Sequence, residues 1–115
     1  MKFIQDYWPI MALAFWFGYK WWNARRVKAL LPQLKSEGAI LLDVRSEAEF
    51  ASGHAPGTMN IPLHDLGQHL SSLPKSSPVV VGCASGTRSC MAKLMLKKNG
   101  YQRVHNIGSW RNFMS

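Results

Sequence analysis

Acidic residues are scarce in this chain. Six Asp and Glu stand against fourteen Lys and Arg, giving a formal net charge of +8. The excess is shared evenly, +4 in residues 1–38 and +4 in residues 39–115. Spread this way, it makes a basic surface that attracts small anions. It forms no basic stripe interleaved with stacking aromatics, and no nucleic-acid partner is expected. Cysteine is just as sparse. Cys83 and Cys90 are the two present, too few for a disulfide framework and without the companions that a metal site requires. Two reduced thiols suit a reducing compartment. With 115 residues there is room for one domain plus an appendage. An apolar content of 47% argues against a disordered chain.

Long hydrophobic runs are missing too. The N-terminal stretch Tyr7 to Tyr19 is charge-free for thirteen residues, about 20 Å of helix against a hydrocarbon core of about 30 Å. Extension from Phe3 to Trp22 brings in Asp6 and Lys20 near the ends, where charges can reach the interface. Tyr7 and Trp8 at one end, and Tyr19, Trp21 and Trp22 at the other, resemble aromatic belts. Residues 1–24 are therefore expected to form a membrane-spanning apolar helix. A helix lying in the interface and a packing helix or dimer face are the alternatives. Bulky Phe15-Trp16-Phe17 and Trp21-Trp22 disfavour a cleavable signal. Lys20, Arg25, Arg26, Lys28 and Lys35 all follow the segment, which predicts a single-pass membrane protein with its domain on the cytoplasmic side.

Residues 25–38 form a junction, with a short strand around Val27-Lys28-Ala29 and a short helix from Pro32 to Lys35. The domain proper is expected over 39–115. Ala39 to Val44 reads as a buried strand. Ser46-Glu47-Ala48-Glu49 is a capping box that opens a short helix ending near Gly53. Thr58 to Ile61 is a short strand and His64 to Leu70 a helix, followed by a loop from Ser71 to Pro78. Val79-Val80-Val81 is the central strand, and the helix after it runs to Asn99 and stops at Gly100. Val104 to Ile107 is the last strand, with a terminal turn over Ser109 to Met114. Alternating strands and helices give an α/β class with a mostly parallel sheet flanked by helices.

The chemistry is concentrated at Cys83-Ala84-Ser85-Gly86-Thr87-Arg88-Ser89. An apolar β-branched strand feeds a tight turn, and a helix opens immediately after it. Backbone N–H groups of such a turn converge on negative charge. A cysteine at its mouth has its thiolate favoured, and Arg88 adds positive charge. Cys83 is thus the candidate nucleophile, at the carboxyl end of a strand where ligands of parallel sheets collect. Cys90, Met91, Leu94 and Met95 read as helix core, with a resolving thiol as the alternative for Cys90. His64, His69 and His105 read as surface residues, and Trp110 as a packing residue near the end of the domain.

These residues carry a resemblance. The chain resembles a single-domain rhodanese, the sulfurtransferase family, over about Ala39 to Trp110. The matching blocks are Leu41-Leu42-Asp43-Val44-Arg45 with Glu49-Phe50, Gly53-His54-Ala55-Pro56-Gly57 through Pro62, Cys83-x-x-Gly86-x-Arg88-Ser89, and Gly100-Tyr101 through Asn106-Ile107-Gly108. The resemblance implies a rhodanese-like α/β fold and transfer of sulfur from a small anionic donor to cyanide or a thiol through a Cys83 persulfide. No metal or other cofactor is implied. Ala84, Ser85, Gly86, Thr87 and Arg88 would hold the substrate. Asp43 and Arg45 would form a supporting bridge, and His54 would stabilise a turn. Four residues separate Cys83 from Arg88, one fewer than in the related dual-specificity phosphatases, which disfavours phosphate chemistry. Ala84 stands where thiosulfate-using members often carry a basic residue. That departure leaves room for a second reading, a persulfide carrier or interaction module with a membrane-protein partner.

Overall fold

The computed structural model describes residues 2–114, with side chains from residue 5 onward. Met1 and Ser115, the outer ends of the expected anchor and domain, lie outside the described residues. The elements in chain order are α1 (Lys2–Ser36), β1 (Ile40–Asp43), α2 (Glu47–Ser52), β2 (Met59–Asn60), α3 (Leu66–His69), β3 (Val79–Cys83), α4 (Thr87–Lys98) and β4 (Val104–Ser109). Short 3-10 turns flank α3 and close the chain at Trp110–Phe113.

All pairings in the sheet are parallel, in the order β2-β1-β3-β4. The central strand β3 is buried along its whole length, as expected of a parallel strand covered on both faces. Successive residues point to opposite faces, and the core divides accordingly. Leu42, Val79 and Val81 meet Leu66, Leu73, Ala92, Leu96 and Tyr101 on the α3/α4 side. Leu41 and Val80 meet Val27, Leu31, Leu34, Ile107 and Phe113 on the α1 side. The α1 residues recur at i, i+4 and i+7, the spacing of one helical face. The result is a rhodanese-like arrangement, a parallel sheet flanked by helices.

The N-terminal third differs from expectation. The Val27-Lys28-Ala29 strand and the separate Pro32 helix are absent; one helix runs unbroken from Lys2 to Ser36, with Pro9 and Pro32 inside it. An interior proline removes a backbone donor at a cost of about 3 kcal/mol. Burial of Leu31 and Leu34 on either side of Pro32 offsets that cost and holds the helix to the sheet.

The spanning-helix expectation is also corrected. No helix among the described residues is long and apolar enough to cross a membrane. The charge-free run is short, and much of it is Trp and Tyr, whose N–H and O–H groups offset their apolar rings. Asp6 and Lys20 close it on both sides. With the spanning helix go the apolar membrane-crossing anchor assigned to residues 1–24 and the single-pass placement with a cytoplasmic domain.

Smaller differences are local. The expected helix from His64 to Leu70 is a four-residue α3 between two 3-10 turns. Met91 and Leu94 are exposed rather than core, because α4 buries Ser89, Ala92 and Leu96 instead. Cys90 is exposed as well. His105 is half-buried rather than a surface residue.

Candidate active site

Strand β3 ends at Cys83, and α4 begins four residues later at Thr87. The reversal between them turns on Gly86, whose φ of 99° lies in the left-handed region that favours glycine. A Cβ at Gly86 would also stand 3.2 Å from the Gly108 Cα. This tight bend swings backbone donors inward. The Gly86 N–H donates to Cys83 Sγ at 2.9 Å and the Ser89 N–H at 3.4 Å. The Ser89 hydroxyl oxygen lies 3.4 Å from the same sulfur.

Burial pushes the Cys83 thiol up, but the hydrogen bonds outweigh it. Ser89, through its hydroxyl and its N–H, and the backbone of Ser85 and Gly86 favour the thiolate and leave the thiol below its ordinary value. One expectation needs correcting here. Cys83 is 1% exposed, so the sulfur lies at the floor of the loop rather than at its mouth. The rim above it, formed by Ala84, Ser85 and Thr87, is exposed.

Arg88 leaves the loop toward α2. Its two terminal nitrogens meet both oxygens of Glu49 at 2.7 and 3.0 Å, a forked pair. That hydrogen bond, helped by the Ser46 backbone, holds the Glu49 carboxyl down at about 2. Glu49 in turn favours the charged Arg88. The arginine therefore spends its charge on a carboxylate, which changes the role that sequence reading gave it. Glu49 was given no role in the sequence beyond the capping box, and it does perform that task, accepting from the Ser46 N–H at 3.1 Å.

Behind this pair, Arg45 bridges Asp43 at 2.8 Å, both buried. Arg45 also donates to the carbonyls of Glu49 at 3.3 Å and Gly53 at 2.7 Å, so it ties the end of β1 to both ends of α2. Its guanidinium stacks over Trp110, 4.4 Å from the ring centroid. His54 is exposed, stacks on Phe50 and places Nδ1 2.9 Å from the Phe50 carbonyl. It makes no contact with the sulfur. Cys90 faces away from the sulfur, into a groove between α1 and the loop that Gly86 and Thr87 also line. Among the described residues no group of His, Cys, Asp and Glu gathers where a metal could bind.

Sequence reading missed Asn106 of β4. Its Oδ1 accepts from the Ser89 hydroxyl at 2.6 Å and its Nδ2 donates to the Gly86 carbonyl at 3.2 Å. Gly86 and Ser89, two of the residues that bond to the sulfur, are thus held by one amide. The only signal was its place in the Asn106-Ile107-Gly108 block, and spacing alone does not show that β4 lies beside β3.

Comparison with known proteins points the same way. The family model for the rhodanese-like domain matches residues 26–115. A sulfurtransferase from Allochromatium vinosum is 39% identical over 72 residues, covering 63% of this chain and 67% of that protein. The thiosulfate sulfurtransferase GlpE of Ectopseudomonas mendocina is 29% identical, covering 65% of this chain and 69% of its own. Two other relatives, from Bacillus subtilis, are matched over 38% and 55% of their length. Among solved structures, a rhodanese-related protein from Thermoplasma volcanium superposes with a TM-score of 0.65 at 28% identity, over 76% of this chain and 86% of that one. The chain belongs to the rhodanese-like domain family.

Proposed function

We propose that this protein is a rhodanese-type sulfurtransferase with Cys83 as its nucleophile. One observation carries the reading: the backbone N–H groups of Gly86 and Ser89 converge on the Cys83 sulfur at 2.9 and 3.4 Å. Such donors stabilise an anionic sulfur and cost no reorganisation when charge arrives. The relatives described above, a sulfurtransferase and a thiosulfate sulfurtransferase, support the same class. Residues 39–115 carry the chemistry in this reading, and the end of α1 packs Val27, Leu31 and Leu34 against their sheet.

The reaction divides into two displacements. The Cys83 thiolate attacks the outer sulfur of thiosulfate or a similar anionic donor. A new S–S bond forms, the donor's S–S bond breaks, and sulfite leaves with the electron pair. The enzyme persulfide carries one negative charge, and the N–H groups of Gly86 and Ser89 face it. An acceptor, cyanide or a thiolate, then attacks the terminal sulfur, and the Cys83 thiolate is restored. Ala84, Ser85, Gly86, Thr87 and Arg88 form the wall of the substrate site. Asp43, Arg45 and His54 support it from behind. No cofactor enters either step.

The near-complete burial of Cys83 favours one second reading, a persulfide held without rapid turnover. A single experiment addresses both. The protein is treated with thiosulfate and its peptides are weighed, then thiocyanate is assayed with cyanide as acceptor. The expected result is a gain of about 32 Da, one sulfur, on the Cys83 peptide and none in Cys83→Ser. Steady thiocyanate formation supports the enzyme, and an adduct without turnover supports the carrier. An unmodified Cys83, or equal activity in Cys83→Ser, refutes the assignment.

A further inference from the structure

The charges around the sulfur loop are already spoken for. Arg88 is forked onto Glu49 and Arg45 is bridged to Asp43, so neither guanidinium is free to meet the anionic end of a sulfur donor. The loop itself holds no other cation, since Ala84, Ser85, Gly86 and Thr87 are uncharged. A doubly charged oxyanion still needs a positive partner near the sulfur it delivers.

The fold supplies one from outside the loop. Lys20, on the part of α1 that precedes the packed Val27–Leu34 face, reaches the back of Gly86. A Cβ at Gly86 would stand 3.5 Å from Lys20 Cε and 3.7 Å from Nζ. The Gly86 N–H is the same group that donates to Cys83 Sγ at 2.9 Å. Lys20 has no acidic partner among the described residues; its ammonium rests 4.4 Å from the Trp16 ring centroid. That ring contact favours the cation while leaving its hydrogen-bond donors free. The ammonium lines a groove of about 230 Å³ between α1 and the start of α4, together with Trp16, Gly86, Thr87 and Asn106. Asn23, one turn further along α1, donates to the Asn106 carbonyl at 3.1 Å and fixes the helix against β4 at this level.

We infer that Lys20 is the specificity residue for the anionic end of the sulfur donor, so that α1 completes the substrate site. This rests on the sulfurtransferase reading.

The test measures how fast thiosulfate forms the Cys83 persulfide, by mass, as thiosulfate concentration is raised. In Lys20→Ala the concentration giving half the maximal rate rises on the order of fivefold, while the maximal rate changes little. Lys20→Glu raises it further, and Lys20→Arg restores it. Lys28→Ala, which removes the same charge two turns away on α1, is the control and leaves it unchanged. Raising the salt concentration narrows the gap between wild type and Lys20→Ala. Equal half-saturation in wild type and Lys20→Ala overturns the inference, as does an equal rise in Lys28→Ala. A wild-type protein that forms no persulfide at all fails earlier, and refutes the sulfurtransferase reading along with it.

Discussion

Glu49 serves two masters. As the third residue of α2 it closes the capping box with Ser46, and from the same carboxylate it holds Arg88. A carboxyl held at about 2, against an ordinary 4.5, makes folding stability depend on acid. The folded chain binds fewer protons there than the unfolded one, so stability rises with pH across this window. The contribution is fully present above about 4.5 and is lost as pH falls through 2. Both partners are more than a third exposed, so solvent screening keeps the effect modest. Thermal unfolding of Glu49→Gln should show a lower midpoint than wild type at pH 6, with the two curves converging near pH 2. A constant gap across that range contradicts the pairing. Cys83 and its loop were legible in the sequence because the β-branched strand, the glycine and the arginine are contiguous. Glu49, Asn106 and Lys20 were not, because their roles depend on neighbours 39, 20 and more than 60 residues away along the chain.

Among the elements, β3 and α4 meet at the bend that holds Cys83, and their junction leaves no spare room. A Cβ at Gly82 would stand 2.7 Å from Phe113 Cε2 and 3.2 Å from Ile107 Cγ2. Gly82→Ala should therefore destabilise the fold by about 1–3 kcal/mol, read as a lower denaturation midpoint, and displace the closing turn at Trp110–Phe113. Unchanged stability would show that Phe113 moves aside freely. The four strands, the capping box of α2 and the start and stop of α4 were all readable, since each has a local signature of short apolar run, cap or glycine. The long α1 was not. Pro32 reads locally as the start of a separate helix, and only the buried face of Val27, Leu31 and Leu34 against the sheet carries α1 through it. The same limit applies to α4. Its apolar Met91 and Leu94 looked like core, yet the buried stripe falls on Ser89, Ala92 and Leu96.

For the whole molecule, the fold, the charge and the site work together. A parallel sheet brings its carboxyl ends to one edge, where Cys83, Asp43 and the α2 capping box meet. The +8 surface draws anions toward the protein, and fixed donors in the loop hold the negative sulfur that results. The membrane expectation failed at this scale because aromatic belts and a basic flank are flanking features, and the run between them lacks the sustained apolarity that crossing requires. The central claim is that the folded loop lowers the Cys83 thiol below its ordinary value and so favours the thiolate. The direct measurement is the pH dependence of Cys83 alkylation by iodoacetamide, followed by peptide mass in a Cys90→Ser background. The account predicts a half-maximal rate below the ordinary thiol value of about 8.5, returning to that value when the chain is unfolded in urea. A folded-state midpoint at or above 8.5 would contradict it.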